Sequence, residues 1–465
     1  MAVNGEILKR DLNARELFSL AFGAIVGVSW IVLVGQWITE AGPYGAMLAF
    51  VIGGLLMLPI GFCYAELGQR FPATGGEFVY AFRFFGTGTA FATAWILALF
   101  YVAVCAFEAV SISWLAAAIW PATKGPELYR IASTPVHLGD VILGVALASA
   151  LGAIQLRGAQ MAARLQDILV ISMVSLAILF LLAATVTGST TRLEPAFGSF
   201  DGFMALLLAT PLFFAGFNSV PQALGESSDA ARRKLPMIIF VVILASMAFK
   251  VAVILATGLV LTGPEASAAE VPVALAFERA FGSKWLSLAA LFTGVMGLLT
   301  TWNAALFGSS RVLYALGHSR LGPRTLGRIG LSANVPFISI IFVTAITILA
   351  VPLGREIIIP VISLGGICVT LMMVLVSACL WKGRKEAGRS RYALPALCML
   401  ISIALLGLML NEIAEKAFKG EFIELAIVSI WTLLGLIFWF ASARSRNDID
   451  NAEREALILG AGAGS

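Results

Sequence analysis

Charged residues are scarce in this sequence. Asp, Glu, Lys and Arg make up only 12% of its 465 residues, whereas hydrophobic residues make up 60%. A soluble protein carries about 25% charged residues, which cover much of its surface. The shortage of charge therefore excludes an ordinary soluble protein and indicates a chain that crosses a membrane many times.

Residues typical of metal and catalytic sites are also few or poorly spaced. The two histidines, His137 and His318, lie too far apart to predict a metal cluster, and the five cysteines lie in apolar stretches without metal-ligand spacing. We find no Ser/His/Asp set and no nucleotide-binding loop, and we therefore predict neither an enzyme nor a bound metal or cofactor. The net charge of +4, without a single basic patch, argues against nucleic-acid binding.

Long apolar stretches dominate what is present. A helix needs about 20 predominantly apolar residues to cross a bilayer. We predict twelve such spans, at residues 16–39, 44–66, 87–119, 138–157, 165–187, 202–224, 237–262, 284–316, 336–353, 356–381, 392–411 and 422–442.

The basic residues predict the orientation of these spans. Lys and Arg are enriched in the cytoplasmic loops of membrane proteins. With twelve spans both termini lie on one side, and most of the 31 Lys and Arg residues fall on that side, including the run at residues 232–234. We therefore predict a multi-pass protein of the cytoplasmic membrane with both termini in the cytoplasm.

Two spans contain residues that interrupt helices. Span 1 contains Gly23, Gly27 and Ser29, and span 6 reads PLFFAGFNSVP over residues 211–221. Pro221 lacks a backbone N–H and disfavours helix in the two residues before it. Glycine alone often serves close helix packing, but paired interruptions in two corresponding halves indicate the binding site of a secondary transporter.

The chemistry of such breaks predicts a class of ligand. The N-terminus of a half-helix presents free N–H groups and a partial positive charge, which suit a carboxylate. Carbonyl groups freed at the other break suit an ammonium group. An amino acid carries both groups, so we predict a small amino acid or a related amine as substrate.

Three motifs resemble those of the amino acid–polyamine–organocation (APC) superfamily. Residues 64–80, YAELGQRFPATGGEFVY, are similar to the signature that follows the second helix of that superfamily. Residues 303–316, NAALFGSSRVLYAL, resemble its eighth-helix motif, and residues 216–218, Gly-Phe-Asn, its sixth-helix motif. The resemblance extends over the whole chain, including the number and orientation of the helices.

The resemblance implies an all-α polytopic membrane protein of 12 transmembrane helices with two inverted five-helix repeats, helices 1–5 (residues 16–187) and 6–10 (202–381), and two extra helices (392–442). Helices 1 and 6 would be unwound midway, and access to the site would alternate between the two sides of the membrane. Residues 1–15 would form a cytoplasmic tail, and residues 443–465 a second one that we expect to be disordered. Members of the superfamily transport amino acids, polyamines or related amines by proton symport, by exchange or, in some cases, with sodium.

The sequence departs from the family pattern in three places. Ser29 and Trp30 lie where the first-helix core usually has glycine and isoleucine, which leaves the substrate open. The lysine that many proton-coupled members carry in helix 5 is absent, because its position falls near Ser172 or Met173. Lys250 stands where helix 7 often has a tyrosine.

Glu108 in span 3 and Lys250 in span 7 are ionisable residues inside the membrane. A charge there costs about 3 kcal/mol or more, which makes both residues functional candidates. Glu108 either carries the coupling proton, binds an amine as a carboxylate, or is a protonated structural residue. Lys250 either makes a structural ion pair or caps a carbonyl, or it acts in coupling as a substitute for a cation. The sequence leaves open whether the two residues pair.

Further polar and aromatic residues complete the candidate site. Asn303 either lines the cavity or joins two helices, and Phe213 and Phe214 either gate the cavity or pack. Ser309 and Ser310 could offer hydroxyls to a sodium ion, although serine in a membrane helix more often bonds its own backbone. The predicted substrate-binding residues are Ala24, Ile25, Gly27, Val28, Ser29, Trp30, Phe213, Phe214, Gly216, Asn218, Trp302 and Asn303, with Glu108 and Lys250 predicted for proton coupling.

Charged residues of the motifs fall at the predicted cytoplasmic face. They include Glu66, Arg70 and Arg311. We interpret these residues as a structural or gating charge network and not as substrate ligands.

These patterns together predict a secondary transporter of a small amino acid, embedded in the lipid bilayer. Proton symport is favoured over exchange, with H⁺ as the expected coupling ion and Na⁺ as the alternative. The main rival is a polyamine or amine carrier in which Glu108 binds the amine directly. A non-transporting sensor is disfavoured because the tails are too short for a signalling domain, and the sequence assigns no oligomeric state.

Overall fold

The computed structural model describes residues 8–131, 134–330, 333–386, 392–420 and 422–459, and these are almost entirely helical. Ten helices in these ranges are long and apolar enough to cross a membrane. Two shorter apolar stretches, Phe200–Phe213 and Phe337–Leu353, correspond to predicted spans 6 and 9. The predicted all-α polytopic fold is confirmed, while the count of twelve crossing helices stays a prediction.

The helices follow the predicted spans to within a few residues and carry the same numbers. Spans 2 to 5 are Pro43–Arg70, Thr87–Ile119, Leu138–Leu156 and Ala159–Thr187. Spans 7 to 12 are Leu235–Val260, Lys284–His318, Phe337–Ala350, Gly354–Glu386, Ala393–Phe418 and Ile423–Ala441.

Spans 1 and 6 are each split into two halves. Span 1a is Ala14–Val26, and span 1b consists of Ser29–Val32 and Val34–Ala41. Span 6a is Phe200–Phe213, and span 6b is Ser219–Ala223. The predicted unwinding of both spans is confirmed.

The structure corrects one detail of the second break. Pro221 was expected to disfavour helix in the two residues before it, but span 6b already begins at Ser219. Pro221 therefore lies in the first turn of span 6b, where a backbone N–H has no helical partner to lose. The unwound residues are instead 214–218.

The start of span 1 is determined by a local cap. The Asn13 side chain accepts hydrogen bonds from the backbone N–H groups of Arg15 and Glu16, and the Glu16 carboxylate accepts one from the N–H of Asn13. This capping box satisfies N–H groups that the first turn leaves free. The preceding Leu12 donates its N–H to the carbonyl of Glu226 at 3.0 Å, which ties the start of span 1 to the end of span 6b.

Corresponding members of the two five-helix sets pack against each other. Span 1a contacts span 6b, span 1b contacts span 6a, and spans 2, 3 and 4 pack on spans 7, 8 and 9 respectively. Such pairing is expected for two halves related by a two-fold axis, because elements near the axis meet their own counterparts. The two breaks are therefore brought together at the centre of the molecule.

Spans 11 and 12 lie at the periphery. Much of their apolar surface is exposed, as for Leu400 and Phe440, which is typical of helices that face lipid. Span 12 is attached to span 3 by two tryptophans: Trp95 donates its indole N–H to the carbonyl of Trp431 at 2.8 Å, and Trp431 donates to the carbonyl of Trp95 at 3.0 Å.

The connections between spans contain short elements. An antiparallel hairpin, β1 Glu127–Ile131 and β2 Thr134–His137, lies between spans 3 and 4, with Tyr129 opposite Val136. The other short elements are the α-helices Glu77–Phe85, Asp229–Arg233, Gly263–Ala268 and Pro272–Phe281 and the 3₁₀ turns Pro121–Lys124, Thr190–Leu193, Leu224–Glu226, Arg324–Gly327 and Val351–Leu353.

The C-terminal tail differs from the expectation of disorder over residues 443–459. Two helices, Ala443–Asn447 and Asn451–Leu459, follow span 12. Arg454 is buried and donates a hydrogen bond to the carbonyl of Ser319 at 3.2 Å, which anchors the second helix next to span 8. Residues 460–465 lie outside the described residues, as do residues 1–7 of the predicted N-terminal tail.

Candidate functional site at the broken helices

The break in span 1 depends on a glycine. Gly27 has φ +51° and ψ −143°, a conformation that residues with a side chain rarely adopt. The backbone N–H group of Val28 makes no hydrogen bond to another described residue. Span 8 approaches this break closely, since a Cβ added at Gly297 would lie 2.2 Å from the carbonyl oxygen of Gly27.

The break in span 6 touches the one in span 1. Gly216 has φ +148°, and a Cβ at this position would lie 2.8 Å from the backbone nitrogen of Ile25 and 2.9 Å from the carbonyl carbon of Ala24. The N–H groups of Gly216 and Asn218 make no hydrogen bond to described residues. The two breaks therefore present free backbone groups to one shared volume.

A cavity of about 310 Å³ occupies this shared volume. It lies at the small end of the usual range for ligand cavities, ~300–1,000 Å³. Residues of spans 1, 3, 6, 8 and 10 line it. Most of the predicted site residues are in its wall: Ala24, Ile25, Gly27, Val28, Ser29, Phe213, Gly216, Asn218 and Glu108.

Two predicted aromatic residues are buried behind the wall. Trp30 is fully buried and packs edge-on against Phe249 with 5.2 Å between ring centroids. Phe214 is also fully buried, with its ring 6.4 Å from that of Phe50. Neither side chain lines the cavity, so for Phe214 packing is favoured over a gate, and Trp30 lies behind the wall that it was predicted to form.

Asn303 and its neighbour Trp302 lie outside the cavity as well. Asn303 donates to the carbonyl of Ala162 at 3.1 Å and to Gln166 Oε1 at 2.8 Å, and it accepts a hydrogen bond from Gln155 at 2.9 Å. Its amide is therefore fully engaged in joining spans 4, 5 and 8. Of the two predicted roles of Asn303, helix–helix hydrogen bonding is the one that this geometry favours.

Glu108 reaches the cavity from span 3. Its side chain is 4% exposed, and its Oε2 atom has no hydrogen-bond partner among the described residues. Among the described residues, Glu108 and Lys250 do not form an ion pair with each other. The two side chains are therefore considered separately. A carboxyl group without a partner in a cavity wall can take up a proton or bind a cationic group.

Lys250 lies next to the cavity without lining it. Its ammonium group is 3.2 Å from Ser29 Oγ, and Ser29 does line the cavity. Lys250 is therefore connected to the cavity through the hydroxyl group of Ser29.

Several wall residues were missed by sequence reasoning. Phe100, Tyr101, Val104 and Phe107 line the cavity on the same side as Glu108. They precede Glu108 by eight, seven, four and one positions, and the first three of these spacings repeat along one face of a helix. This periodicity could have identified the three residues from the sequence, but only if the inward orientation of Glu108 had been known.

The serines considered for sodium binding are hydrogen-bonded to their own helix, and their role in binding a cation stays a prediction. Ser309 and Ser310 donate to the carbonyls of Leu306 and Phe307 in their own helix at 3.0 and 2.9 Å. A different hydroxyl of span 8 reaches the break, since Thr300 lies 3.1 Å from the carbonyl oxygen of Gly23. Among the described residues no cluster of three or more His, Cys, Asp or Glu residues could hold a metal ion.

The charged motif residues form two separate clusters. Arg311 is fully buried and contacts both carboxylate oxygens of Glu226, at 2.7 and 3.1 Å, at the end of span 6b. Glu66 pairs instead with Arg70 and Arg384 at 2.5 Å each. Arg311 therefore holds span 6b, and Glu66 holds the C-terminal end of span 10 against span 2.

A buried carboxyl group lies below the cavity. Glu77, at the start of the short helix Glu77–Phe85, is fully buried and accepts a hydrogen bond from Gln222 of span 6b. Burial raises the pKa of this carboxyl from 4.5 to about 7, and hydrogen bonds from its own backbone and from Gln222 limit the rise. Sequence reasoning used Glu77 only as part of a motif and assigned it no role.

A helical bundle with a cavity at two paired helix breaks defines a membrane transport protein of the broken-helix class. The family model for amino acid permeases matches residues 12–438. The chain therefore belongs to the amino acid permease family. This membership confirms the resemblance to the APC superfamily and the prediction of a transporter and not an enzyme.

The chain is similar to amino acid permeases and transporters, over nearly its whole length for two of them. It is 25% identical over 473 aligned residues to the branched-chain amino acid permease BcaP of Bacillus subtilis (strain 168), covering 97% of this chain and 96% of that protein. It is 24% identical to BcaP of Lactococcus lactis subsp. cremoris (strain MG1363), covering 94% and 95%. It is 30% identical to the cationic amino acid transporter 9 (chloroplastic) of Arabidopsis thaliana, covering 70% of this chain and 58% of the plant protein.

Proposed function

We propose that this protein is a secondary active transporter that moves an amino acid with a small or aliphatic side chain across the cytoplasmic membrane. The observation that carries the proposal is the cavity of about 310 Å³ at the paired breaks of spans 1 and 6. Transport proceeds by alternating access, with protons as the coupling ion and both termini in the cytoplasm. Membership of the amino acid permease family supports the substrate class.

The character of the cavity wall supports an aliphatic side chain. Ile25, Val28, Phe100, Val104 and Leu212 are among its lining residues and present apolar surface. The free N–H group of Val28 at the break of span 1 suits the carboxylate of the same ligand. Two relatives of nearly full length are named as branched-chain amino acid permeases, which agrees with this assignment.

Glu108 is the proposed proton carrier. It is the acidic residue of the cavity wall, and one of its buried oxygens lacks a hydrogen-bond partner. A carboxyl group in this position can take up a proton, and its protonation responds to whether the cavity is filled. The same observation supports a second candidate function, an amine carrier in which ionised Glu108 binds the ammonium group.

Uptake by purified protein in liposomes tests both candidates. We expect labelled leucine to accumulate when the pH gradient is directed inward, without a requirement for sodium. The decarboxylated analogue 3-methylbutylamine should compete poorly. Glu108→Gln should abolish accumulation driven by the pH gradient while leucine counterflow remains, because substrate still binds but no proton is carried.

The control is Glu455→Gln, which neutralises an exposed carboxylate of the C-terminal helix and should leave uptake unchanged. Movement of the amine alone would favour the amine carrier. Uptake that requires amino acid preloaded inside the liposomes would establish an exchanger in place of a symporter. Absence of all flux with any ligand that binds would disprove the transport proposal.

A further inference from the structure

Lys250 is a buried cation with an unusual set of neighbours. It lies in the middle of span 7 and is fully buried. Lys250 forms no ion pair within the described part of the chain. Its ammonium group instead lies 3.2 Å from the hydroxyl oxygen of Ser29.

Three aromatic rings surround the ammonium group. The distances from Nζ to the ring centroids are 5.7 Å for Trp37, 5.5 Å for Phe50 and 5.6 Å for Phe213. Ring faces within about 6 Å attract a cation, and they do so more strongly in the absence of water. The rings come from spans 1b, 2 and 6a, so they hold the charge in place without neutralising it.

Two of the neighbours of Lys250 also line the cavity. Ser29 and Phe213 belong to its wall. The ammonium group thus lies directly behind the part of the wall that the break of span 1 forms. Ser29 accepts the hydrogen bond from Lys250, so its own hydroxyl hydrogen can be donated to another group. In the present structure the hydroxyl donates to the carbonyl oxygen of Val26, with 3.3 Å between the two oxygens.

We infer that Lys250 is a positioning residue for the substrate carboxylate, which it attracts by its charge and holds through the Ser29 hydroxyl. A carboxylate in the cavity next to Ser29 supplies the negative charge that the ammonium group lacks. The hydroxyl of Ser29 turns from Val26 and donates to the carboxylate, while Lys250 continues to donate to the serine oxygen. This inference rests on the proposed function, because it requires a substrate with a carboxylate group.

The arrangement also accounts for the departures from the family pattern at Ser29 and Lys250. The serine hydroxyl alone would add a polar group to an apolar wall, and the lysine alone would bury an unpaired charge at considerable cost. Together they form a connected pair with one end in the cavity. The pair therefore has a physical reason to occur as a unit.

The test measures binding of leucine and of 3-methylbutylamine to detergent-purified Lys250→Met protein by isothermal titration calorimetry. Methionine keeps most of the side-chain volume and removes the charge. Hydrogen bonds that involve charged groups contribute enough that we expect the dissociation constant for leucine to rise roughly 10- to 100-fold. Binding of the amine should stay the same or strengthen, and Lys250→Arg should restore part of the affinity for leucine.

Lys382→Met is the matched control. Lys382 also donates to a carbonyl, that of Phe84, and lies over the ring of Phe85, but it is not next to the cavity. Ser29→Ala keeps the proposal testable should Lys250→Met fail to fold, because it should weaken leucine binding in the same selective way.

Equal weakening of leucine and amine binding in these variants, or no change in either, overturns the role of Lys250 while leaving the proposed transport of amino acids intact. A wild-type protein that binds the amine and not leucine overturns both proposals. The two failures are therefore distinguishable in one set of titrations.

Discussion

At the scale of single residues, Glu77 links protonation to the position of span 6b. Its carboxyl group is buried below the cavity and accepts a hydrogen bond from Gln222, three residues after the start of that segment. Tyr64 and Tyr101 approach it from spans 2 and 3, and the tyrosine hydroxyls of Tyr80 and Tyr101 have no hydrogen-bond partner among the described residues. Ionising Glu77 therefore places a negative charge among groups that offset it only in part.

This burial predicts a pH-dependent stability. The pKa of Glu77 is about 7 in the folded protein, against an ordinary value of 4.5. Stability associated with its proton is present below pH 4.5 and is lost as the pH rises through 7, because the unfolded chain ionises first. The loss amounts to at most on the order of 3 kcal/mol. We expect the melting temperature in detergent to fall between pH 5 and pH 8, and to fall less in Glu77→Gln.

The control for this comparison is again an exposed carboxylate. Glu455→Gln should show the same fall in melting temperature as the wild type, since Glu455 is in contact with solvent in both states. An identical fall in Glu77→Gln and in the wild type would show that this carboxyl is not the group responsible.

Individual site residues were predictable only where their chemistry stands out. Glu108 and Lys250 are conspicuous because a charge in an apolar helix needs a reason, and both lie at or next to the cavity. Trp302 was assigned to the cavity, whereas Thr301, one residue earlier, lines it. The polar residues of span 8, among them Thr300 and Asn303, fall on more than one face, so its sequence carries no periodicity that could fix which face turns inward.

At the scale of elements, the helix breaks were predictable because glycine and proline act locally. Gly27 and Gly216 occupy conformations that the chain reaches easily only without a side chain. The exact extent of the second break was not predictable, since it depends on where Pro221 falls within span 6b. The hairpin of β1 and β2 and the C-terminal helices are stabilised by contacts with distant segments, such as that of Arg454 with Ser319, which local sequence does not contain.

The contact between the two breaks gives a prediction for Gly216→Ala. The added methyl group would meet backbone atoms of Ala24 and Ile25 within 2.9 Å and would strain the positive φ, at a cost of about 1–3 kcal/mol. The breaks must then move apart, and a misplacement of about 1 Å at a site can reduce activity on the order of 100-fold. We expect leucine uptake to fall at least tenfold by the same reasoning.

A second glycine provides the comparison for this substitution. Gly88, in the first turn of span 3, has open space around an added Cβ and an ordinary φ. Gly88→Ala should therefore leave uptake and melting temperature close to those of the wild type. Normal uptake by Gly216→Ala would mean that the breaks can separate without loss of the site.

At the scale of the whole molecule, residues on either side of span 6b line two different cavities. The central cavity ends at Asn218 and Ser219, while a second cavity of about 660 Å³ is lined by Glu226 together with Lys9, Arg157 and Arg164. The basic residues of the second cavity belong to the side that the charge distribution assigns to the cytoplasm. In the proposed transport cycle we expect substrate that leaves toward the cytoplasm to displace span 6b, which the buried pair of Arg311 and Glu226 holds in place.

Breaking this pair should open the central cavity to the cytoplasm. Removal of one partner leaves a buried charge without compensation and costs about 3–5 kcal/mol, which destabilises the closed arrangement of span 6b. With Ala305→Cys as a reporter in the cavity wall, we expect Glu226→Gln to increase alkylation by a membrane-impermeant thiol reagent in inside-out vesicles. Glu386→Gln, which removes a more exposed partner of Arg83 at 3.8 Å, should not increase it.

Opening can be separated from general unfolding in the same experiment. The five native cysteines are buried, so unfolding would also increase labelling of Glu226→Gln protein that lacks the reporter, whereas a local movement of span 6b would not. Increased labelling in right-side-out vesicles instead would reverse the predicted orientation of the chain. Unchanged labelling from both sides would mean that the pair of Arg311 and Glu226 supports the fold without controlling access. A selective increase from the cytoplasmic side would identify span 6b as the element whose movement connects the two cavities in the transport cycle.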